Sequence, residues 1–316
     1  MSLADRFDAD MLAYQKTLND IAAKYPPVRL EIPLEPHREA NDAVSLHSAA
    51  GGPVMAETAE RWLAARGRRI LCRVHRPRTD RPLPVLVYFH GGGWVWASID
   101  THDRLAREYA AGAEVASVLV DYALSPEAVF PQALEECAAA VRHIGAHGAD
   151  WGLDPGRILL GGDSAGGNLA LGTALYLRDT AGPPLKGLLA IYPVCDDDFT
   201  RPSYTEFGAG LGLTAEKMRF YWGVYAPRAA DRASPYAAPL RADPRGLPPT
   251  LVQLAELDCL RSEGEAMAAK LQAAGVATEL QTYTGVPHGF ARFTGHVAKS
   301  RQAMAAACDW LSRHAG

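Results

Sequence analysis

The sequence predicts an α/β fold in which a mostly parallel central sheet is flanked by helices. Three observations predict it. From residue 68 onward, short apolar runs alternate with segments of helical spacing. One of those runs, Val85-Leu86-Val87-Tyr88-Phe89, is apolar at every position, as in a strand covered on both faces. A length of 316 residues, with 48% hydrophobic and 22% charged side chains, allows one large domain or two small ones and is enough to bury a substantial core.

Residues 1 to about 66 differ in texture and read as helices packed outside the sheet. Asp10 to Ala23 sets Met11, Tyr14, Leu18 and Ile21 at helical spacing, and Tyr25-Pro26-Pro27 ends it. A second helix is expected from Pro53 to Arg66, with Val54, Ala59, Trp62 and Leu63 on its apolar face and Gly67 as its stop. The opening strands are Arg69–Val74 and Pro84–Phe89. A helix near Arg104–Ala111, strand Val115–Val120, helix Gln132–His147, strand Arg157–Gly161 and helix Asn168–Arg178 follow. Beyond these come strand Gly187–Tyr192, a helix near Ala215–Tyr225, strand Thr250–Leu254, helix Ser262–Ala274, strand Ala277–Tyr283 and a last helix from Val297 to Arg313. The alternation is interrupted longest between Val194 and Pro248. Strands lie on both sides of that stretch, so a single domain over residues 1–316 is expected, with a cap contributed by about 1–50 and about 196–230.

Composition removes several function classes. The formal net charge is −4, and lysines and arginines are scattered among more numerous carboxylates, so no basic stripe offers itself to nucleic acid. The acidic start from Met1 to Asp8 lacks the basic and apolar regions of a secretory signal, and no apolar run is long enough to span a bilayer. Cys72, Cys137, Cys195, Cys259 and Cys308 are widely spaced and odd in number, which reads as buried thiols in a reducing, cytoplasmic setting. Histidines are dispersed and the run Asp196-Asp197-Asp198 has no further ligands at sensible spacing, so neither a metal nor another cofactor is expected.

The chemistry-bearing residues fall into separated stretches. Gly162-Asp163-Ser164-Ala165-Gly166 joins a short apolar strand to a helix, and the two glycines permit the sharp turn that lifts Ser164 onto a helix N-terminus. His90-Gly91-Gly92-Gly93-Trp94 follows directly on another strand. Three consecutive glycines cost conformational entropy and free the backbone to present N–H donors to an oxyanion, with the N–H of Ala165 as a further donor. The run lacks the Gly-Lys-Ser/Thr ending of a phosphate-binding loop. His90 precedes the serine at a strand end and is assigned to orienting the glycine loop. His288, in the loop after the last strand, is the candidate general base, and Asp258, just after strand Thr250–Leu254, the candidate acid. Asp196, Asp197, Asp198 and Glu256 are the rivals for that role. The order Ser164, Asp258, His288 is the one expected of an α/β-hydrolase with a nucleophilic serine. Trp94, Trp96, Phe207, Leu211, Leu213 and Tyr221 are candidates for walling an apolar acyl pocket, with cap-to-core packing as the alternative for each.

These stretches, with Tyr122-Ala123-Leu124-Ser125-Pro126-Glu127 and Tyr192-Pro193-Val194, resemble the bacterial hormone-sensitive-lipase-like esterases from about residue 68 to the C-terminus. The resemblance implies an α/β-hydrolase fold, a Ser164–Asp258–His288 triad, an oxyanion hole from Gly92, Gly93 and Ala165, and a helical cap built from the N-terminal segment and the insertion after the sixth strand. Cys259 departs from the family, which usually has proline after the acid. The expected function is hydrolysis of short-chain esters through an acyl-enzyme. Amide or acetyl-amide cleavage by the same triad, and a non-catalytic receptor on the same fold, are the alternatives. The expected partner is a small ester. The resemblance and an open sheet edge at the C-terminal strand also point to a homodimer.

Overall fold

The computed structural model describes residues 4–316, so the first three residues of the N-terminal cap segment, and of the opening stretch read for a signal, lie outside the described residues. Two helices come first, α1 (Ala9–Ala22) and α2 (Glu35–Ala49). Strands β1 (Glu57–Ala65), β2 (Arg68–Arg76) and β3 (Leu83–Phe89) follow, then α3 (Asp103–Ala113), β4 (Ala116–Val120), α4 (Gln132–His147), β5 (Leu153–Asp163), α5 (Ala165–Asp179) and β6 (Leu185–Ile191). An insertion carries the short helices α6 (Pro202–Phe207), α7 (Ala215–Tyr225) and α8 (Ala229–Arg232). The chain ends with β7 (Thr250–Leu257), α9 (Arg261–Ala273), β8 (Thr278–Pro287) and α10 (Ala298–His314).

The eight strands form one sheet in the order β1-β2-β4-β3-β5-β6-β7-β8. β2 pairs antiparallel with both β1 and β4, and every other pairing is parallel. In β3 all seven residues are buried, and alternate side chains feed two separate cores. Val85, Val87 and Phe89 join Leu134 and Val141 of α4, Leu169 and Leu175 of α5 and Leu271 of α9. Leu86 and Tyr88 face the other way, into a cluster with Met11 and Tyr14 of α1, Tyr109 of α3 and Trp310 of α10. A sheet covered in this manner on both faces has no use for polar alternation, which is why its central strands read as continuous apolar runs.

One element differs from the sequence reading. The segment expected as a helix from Pro53 to Arg66 is the edge strand β1, and the second N-terminal helix lies earlier, at Glu35–Ala49. Ala65 pairs with Arg68, so Arg66 and Gly67 alone make the turn, both at positive φ (51° and 77°). That is the two-residue geometry that matches strand twist, and it makes Gly67 a hairpin residue, not a helix stop. Along β1, Ala59, Arg61 and Leu63 turn inward while Glu60 and Trp62 face out. Trp62 and Leu63, placed together on a helical face by the sequence reading, thus lie on opposite faces, and the exposed indole is covered by the Arg69 guanidinium at 4.7 Å.

Candidate active site

β5 ends at Asp163 and α5 begins at Ala165, leaving Ser164 as the single residue of the turn. Its backbone sits at φ 58° and ψ −120°, a conformation that costs on the order of 1–3 kcal/mol and persists only where the surroundings impose it. Here they do. The Ser164 N–H donates to the Ile191 carbonyl at the end of β6 (2.9 Å), and its carbonyl accepts from Asn168 (3.0 Å) and Val194 (3.2 Å). A side chain at Gly166 would run into the Phe89 carbonyl of β3, so glycine there is what allows the turn to close against the sheet. The Asn168 amide donates to the carbonyls of Val194 (3.0 Å) and Ala237 (2.8 Å), tying α5 to the two ends of the inserted segment.

Three polar side chains from different strand ends meet at this turn. His288 Nε2 is 2.8 Å from Ser164 Oγ, and His288 Nδ1 is 2.7 Å from Asp258 Oδ2. The other carboxylate oxygen of Asp258 accepts the Leu260 N–H at 2.9 Å, and the group is 1% exposed. The Tyr192 ring lies 4.7 Å from the imidazole. The rivals for the acid are engaged elsewhere. Asp196 and Asp197 pair with Arg241, Asp198 accepts from Thr200, and Glu256 holds Arg6 (2.9 Å) and the Gly285 N–H (2.8 Å). Cys259 is buried directly after Asp258, and its carbonyl accepts the Ser203 hydroxyl at 2.6 Å.

The glycine loop is fixed from behind by Asp163, the residue that precedes Ser164 and has no expected role in the sequence motif. Asp163 accepts the Gly91 N–H (3.0 Å) and the Tyr88 hydroxyl (3.0 Å) on one carboxylate oxygen, with His102 Nε2 3.3 Å away. Burial acts to raise the Asp163 pKa, yet the His102 interaction, the Arg292 charge and the Tyr88 hydrogen bond outweigh it and hold the carboxyl below its ordinary value. Its only sequence signal is a charged residue at the end of an otherwise apolar strand; His102 gave none. Gly92 turns at φ 119°, and its carbonyl accepts from Val95 (3.1 Å) and Trp96 (2.9 Å). Among the described residues the Gly92 and Gly93 N–H groups have no acceptor, and Ala165, as the first residue of α5, has none within the helix. His90 is buried beneath the loop, with Nδ1 2.7 Å from the Gly91 carbonyl and its own carbonyl accepting from the Tyr122 hydroxyl (2.7 Å). Burial, with His102 beside it, lowers its pKa to about 3, so this imidazole is neutral at physiological pH.

Ser164 and His288 open into a cavity of about 260 Å³ that also borders Gly92 and Gly93. Of the six residues expected to wall an apolar pocket, Trp96, Leu213 and Tyr221 line it, and the Trp96 indole donates to the Tyr221 hydroxyl at 3.0 Å. Trp94, Phe207 and Leu211 do not. Trp94 is fully buried and stacks on Tyr225 at 4.1 Å. Phe207 is fully buried between the guanidinium groups of Arg6 (4.9 Å) and Arg261 (5.0 Å). Leu211 packs on the core. Next to a functional motif, an aromatic residue that completes the core looks the same in sequence as one that faces substrate. Met218 and Lys217 of α7, Gln15 of α1, Asn41 and Ser45 of α2, and Arg292 complete much of the wall; the sequence reading missed them because no local pattern points helices so distant in sequence at one cavity.

A family model described as an alpha/beta hydrolase fold matches residues 86–292. The chain belongs to the hormone-sensitive-lipase-like α/β-hydrolases. Over 246 residues this α/β-hydrolase is 39% identical to the carboxylesterase NlhH of Mycobacterium tuberculosis, covering 76% of this chain and 77% of that one. It is 34% identical over 255 residues to an ethyl acetate hydrolase of Pseudomonas putida, covering 78% and 80%. Among solved structures, a thermostable esterase from Pseudomonas putida superposes with a TM-score of 0.89 at 36% identity over 98% of both chains. A hyperthermophilic esterase from Pyrobaculum calidifontis does so at 0.91 and 34%, again over 98% of both. The α/β-hydrolase described here is accordingly a serine carboxylic ester hydrolase.

Proposed function

We propose that the chain cleaves short-chain esters through an acyl-enzyme formed on Ser164, with His288 as general base and Asp258 as the acid that orients it. The observation that carries this reading is the unbroken contact from Ser164 Oγ through His288 to Asp258. His288 takes the serine proton as Ser164 attacks the ester carbonyl, and it returns that proton to the departing alcohol. Water then repeats the attack on the acyl-enzyme. Asp258 holds the proton on Nδ1, so that Nε2 is the acceptor, and stabilises the imidazolium that forms. The free N–H groups of Gly92, Gly93 and Ala165 fit the oxyanion of both tetrahedral intermediates, each such donor being worth on the order of 3 kcal/mol. Ser164→Ala is expected to abolish turnover of p-nitrophenyl butyrate and labelling by a fluorophosphonate. Wild-type rates in that variant would overturn the assignment, and a folded wild-type protein that takes no label would favour a binding protein instead.

Short acyl groups are favoured by the modest cavity and by its wall of Trp96, Leu213, Met218 and Tyr221. The ethyl acetate hydrolase among the relatives supports the same preference. The wall itself belongs to a cap that we assign to the N-terminal helices and the insertion after β6. Faster hydrolysis of a p-nitrophenyl ester of twelve or more carbons than of the butyrate would overturn the preference, and an anilide control separates ester from amide cleavage. Five unpaired, buried cysteines support a reducing, cytoplasmic setting. β8 ends the sheet, with Leu280 exposed on it, which supports a homodimer through that edge, to be checked by light scattering.

A further inference from the structure

Arg292 closes the short turn Phe290–Arg292 that follows His288, and it lines the same cavity as Ser164. Among the described residues its guanidinium donates no hydrogen bond and meets no carboxylate; its neighbour is the Phe293 ring at 5.9 Å. Arg6, Arg38, Arg104, Arg107 and Arg261, by contrast, are each ion-paired. Across the cavity Lys217 gives one hydrogen bond, to the Gly212 carbonyl (2.7 Å), and also meets no carboxylate. The one acid on the wall, Asp163, is already committed to Gly91, Tyr88 and His102. The wall therefore carries two cations against one carboxylate, Asp163, whose hydrogen bonds are taken by Gly91 and Tyr88 and which Arg292 reaches only through its charge, in a protein whose net charge is −4. A guanidinium on the cavity wall whose donors are not engaged by the protein is available to an anion supplied from outside.

We propose that this site selects esters bearing a second, ionised carboxylate, and that Arg292 is the residue that receives it. The inference rests on the hydrolase reading above. A carboxylate matches the planar fork of a guanidinium with two parallel hydrogen bonds, which an ammonium cannot reproduce. Gln15, Asn41 and Ser45 supply polar neighbours on the N-terminal wall, while Trp96, Met218 and Tyr221 offer an apolar surface, beside Lys217, to the uncharged part of the ester. The two cations on the cavity wall, in a protein of net negative charge, also attract such a substrate. The carboxylate can belong to the acyl group, as in a hemiester of a dicarboxylic acid, or to the alcohol, as in an acylated hydroxy acid.

Four substrates distinguish these cases: mono-p-nitrophenyl succinate against p-nitrophenyl succinamate, and 3-carboxyphenyl acetate against 3-carbamoylphenyl acetate. Each pair exchanges a carboxylate for a neutral amide of the same shape, and the quantity read is the charged-to-neutral ratio of kcat/KM. In Arg292→Gln the ratio is expected to fall about ten- to a hundredfold in at least one pair, and Arg292→Lys to fall between. The pair that responds identifies which side of the ester carries the charge. A purely structural role for Arg292 lowers both members equally and leaves both ratios unchanged, and that result overturns the proposal. Should Arg292→Gln not fold, the wild type decides. A preference for one charged member that shrinks at about 0.5 M salt supports the proposal, and a preference for the neutral member in both pairs overturns it. Failure of the hydrolase reading looks different, since wild type then leaves all four compounds intact, which removes both conclusions together.

Discussion

Asp258→Asn changes almost nothing in shape and should cost the enzyme nearly all its rate. The Asp258 carboxylate has two neighbours that fix how an amide would sit: the Leu260 N–H at 2.9 Å on one oxygen and His288 Nδ1 at 2.7 Å on the other. An amide has only one oxygen. With that oxygen on the Leu260 N–H, the NH2 faces the imidazole, and Nδ1 must become the acceptor. The ring proton then moves to Nε2, 2.8 Å from Ser164 Oγ, where it blocks removal of the serine proton. The group is 1% exposed, so water has little room to repair the mismatch. The loss has two parts, the wrong tautomer and the missing charge opposite the imidazolium. Together they correspond to roughly four orders of magnitude in kcat, or about 5 kcal/mol of transition-state stabilisation. Steady-state hydrolysis of p-nitrophenyl butyrate, with folded enzyme counted by absorbance and its fold checked by circular dichroism, measures it. A loss of less than about tenfold in a folded variant would refute the tautomer argument and return Asp196–Asp198 and Glu256 to consideration.

Gly166→Ala should destabilise the protein by about 2 kcal/mol or more, because its methyl group meets the Phe89 and His90 carbonyls, which as backbone cannot swing aside; an unchanged urea midpoint would count against that. Asp163→Asn removes a carboxylate whose pKa is held below 3.8 in the folded protein. A group depressed in that way contributes fully above its unfolded pKa and loses its contribution as pH falls through the folded one. The gap in Tm between wild type and Asp163→Asn should therefore be widest near neutrality and narrow below about pH 4. A gap that grows on acidification would reverse the sign of the argument. All five cysteines are buried and unpaired, so native protein should react slowly with an aromatic disulfide reagent and yield five thiols once unfolded in guanidinium; rapid release of any of them from the native state contradicts the packing described.

What could be read from the sequence was what local chemistry dictates. The glycines around Ser164 and in the run after His90 answer to contacts within a few residues, and the apolar run Val85–Phe89 answers to burial on both faces, so turn and central strand were legible. β1 was not, because Arg66-Gly67 reads equally as a helix stop and as a hairpin, and only pairing with β2 decides. Trp94 and Phe207 misled for another reason. Their hydrophobicity is spent on Tyr225 and on two guanidinium groups, partners that lie far along the chain. Asp163 matters through Gly91, Tyr88 and His102, dozens of residues away, and no spacing rule reaches that far.

Asn168 has a bearing on how such an enzyme could be diversified. One side-chain amide holds the carbonyl of Val194, where the insertion leaves the sheet, and that of Ala237, where it comes back. The two points are thereby kept close together whatever lies between them. A replacement module that begins and ends at that clamp keeps both hydrogen bonds from α5, but it has also to restore what the present segment supplies, the Ser203 hydroxyl on the Cys259 carbonyl and the Tyr225 ring on Trp94. The stretch from 195 to 236 is in this sense held at both ends by one side chain of α5 and braced in between against the loops that follow β3 and β7.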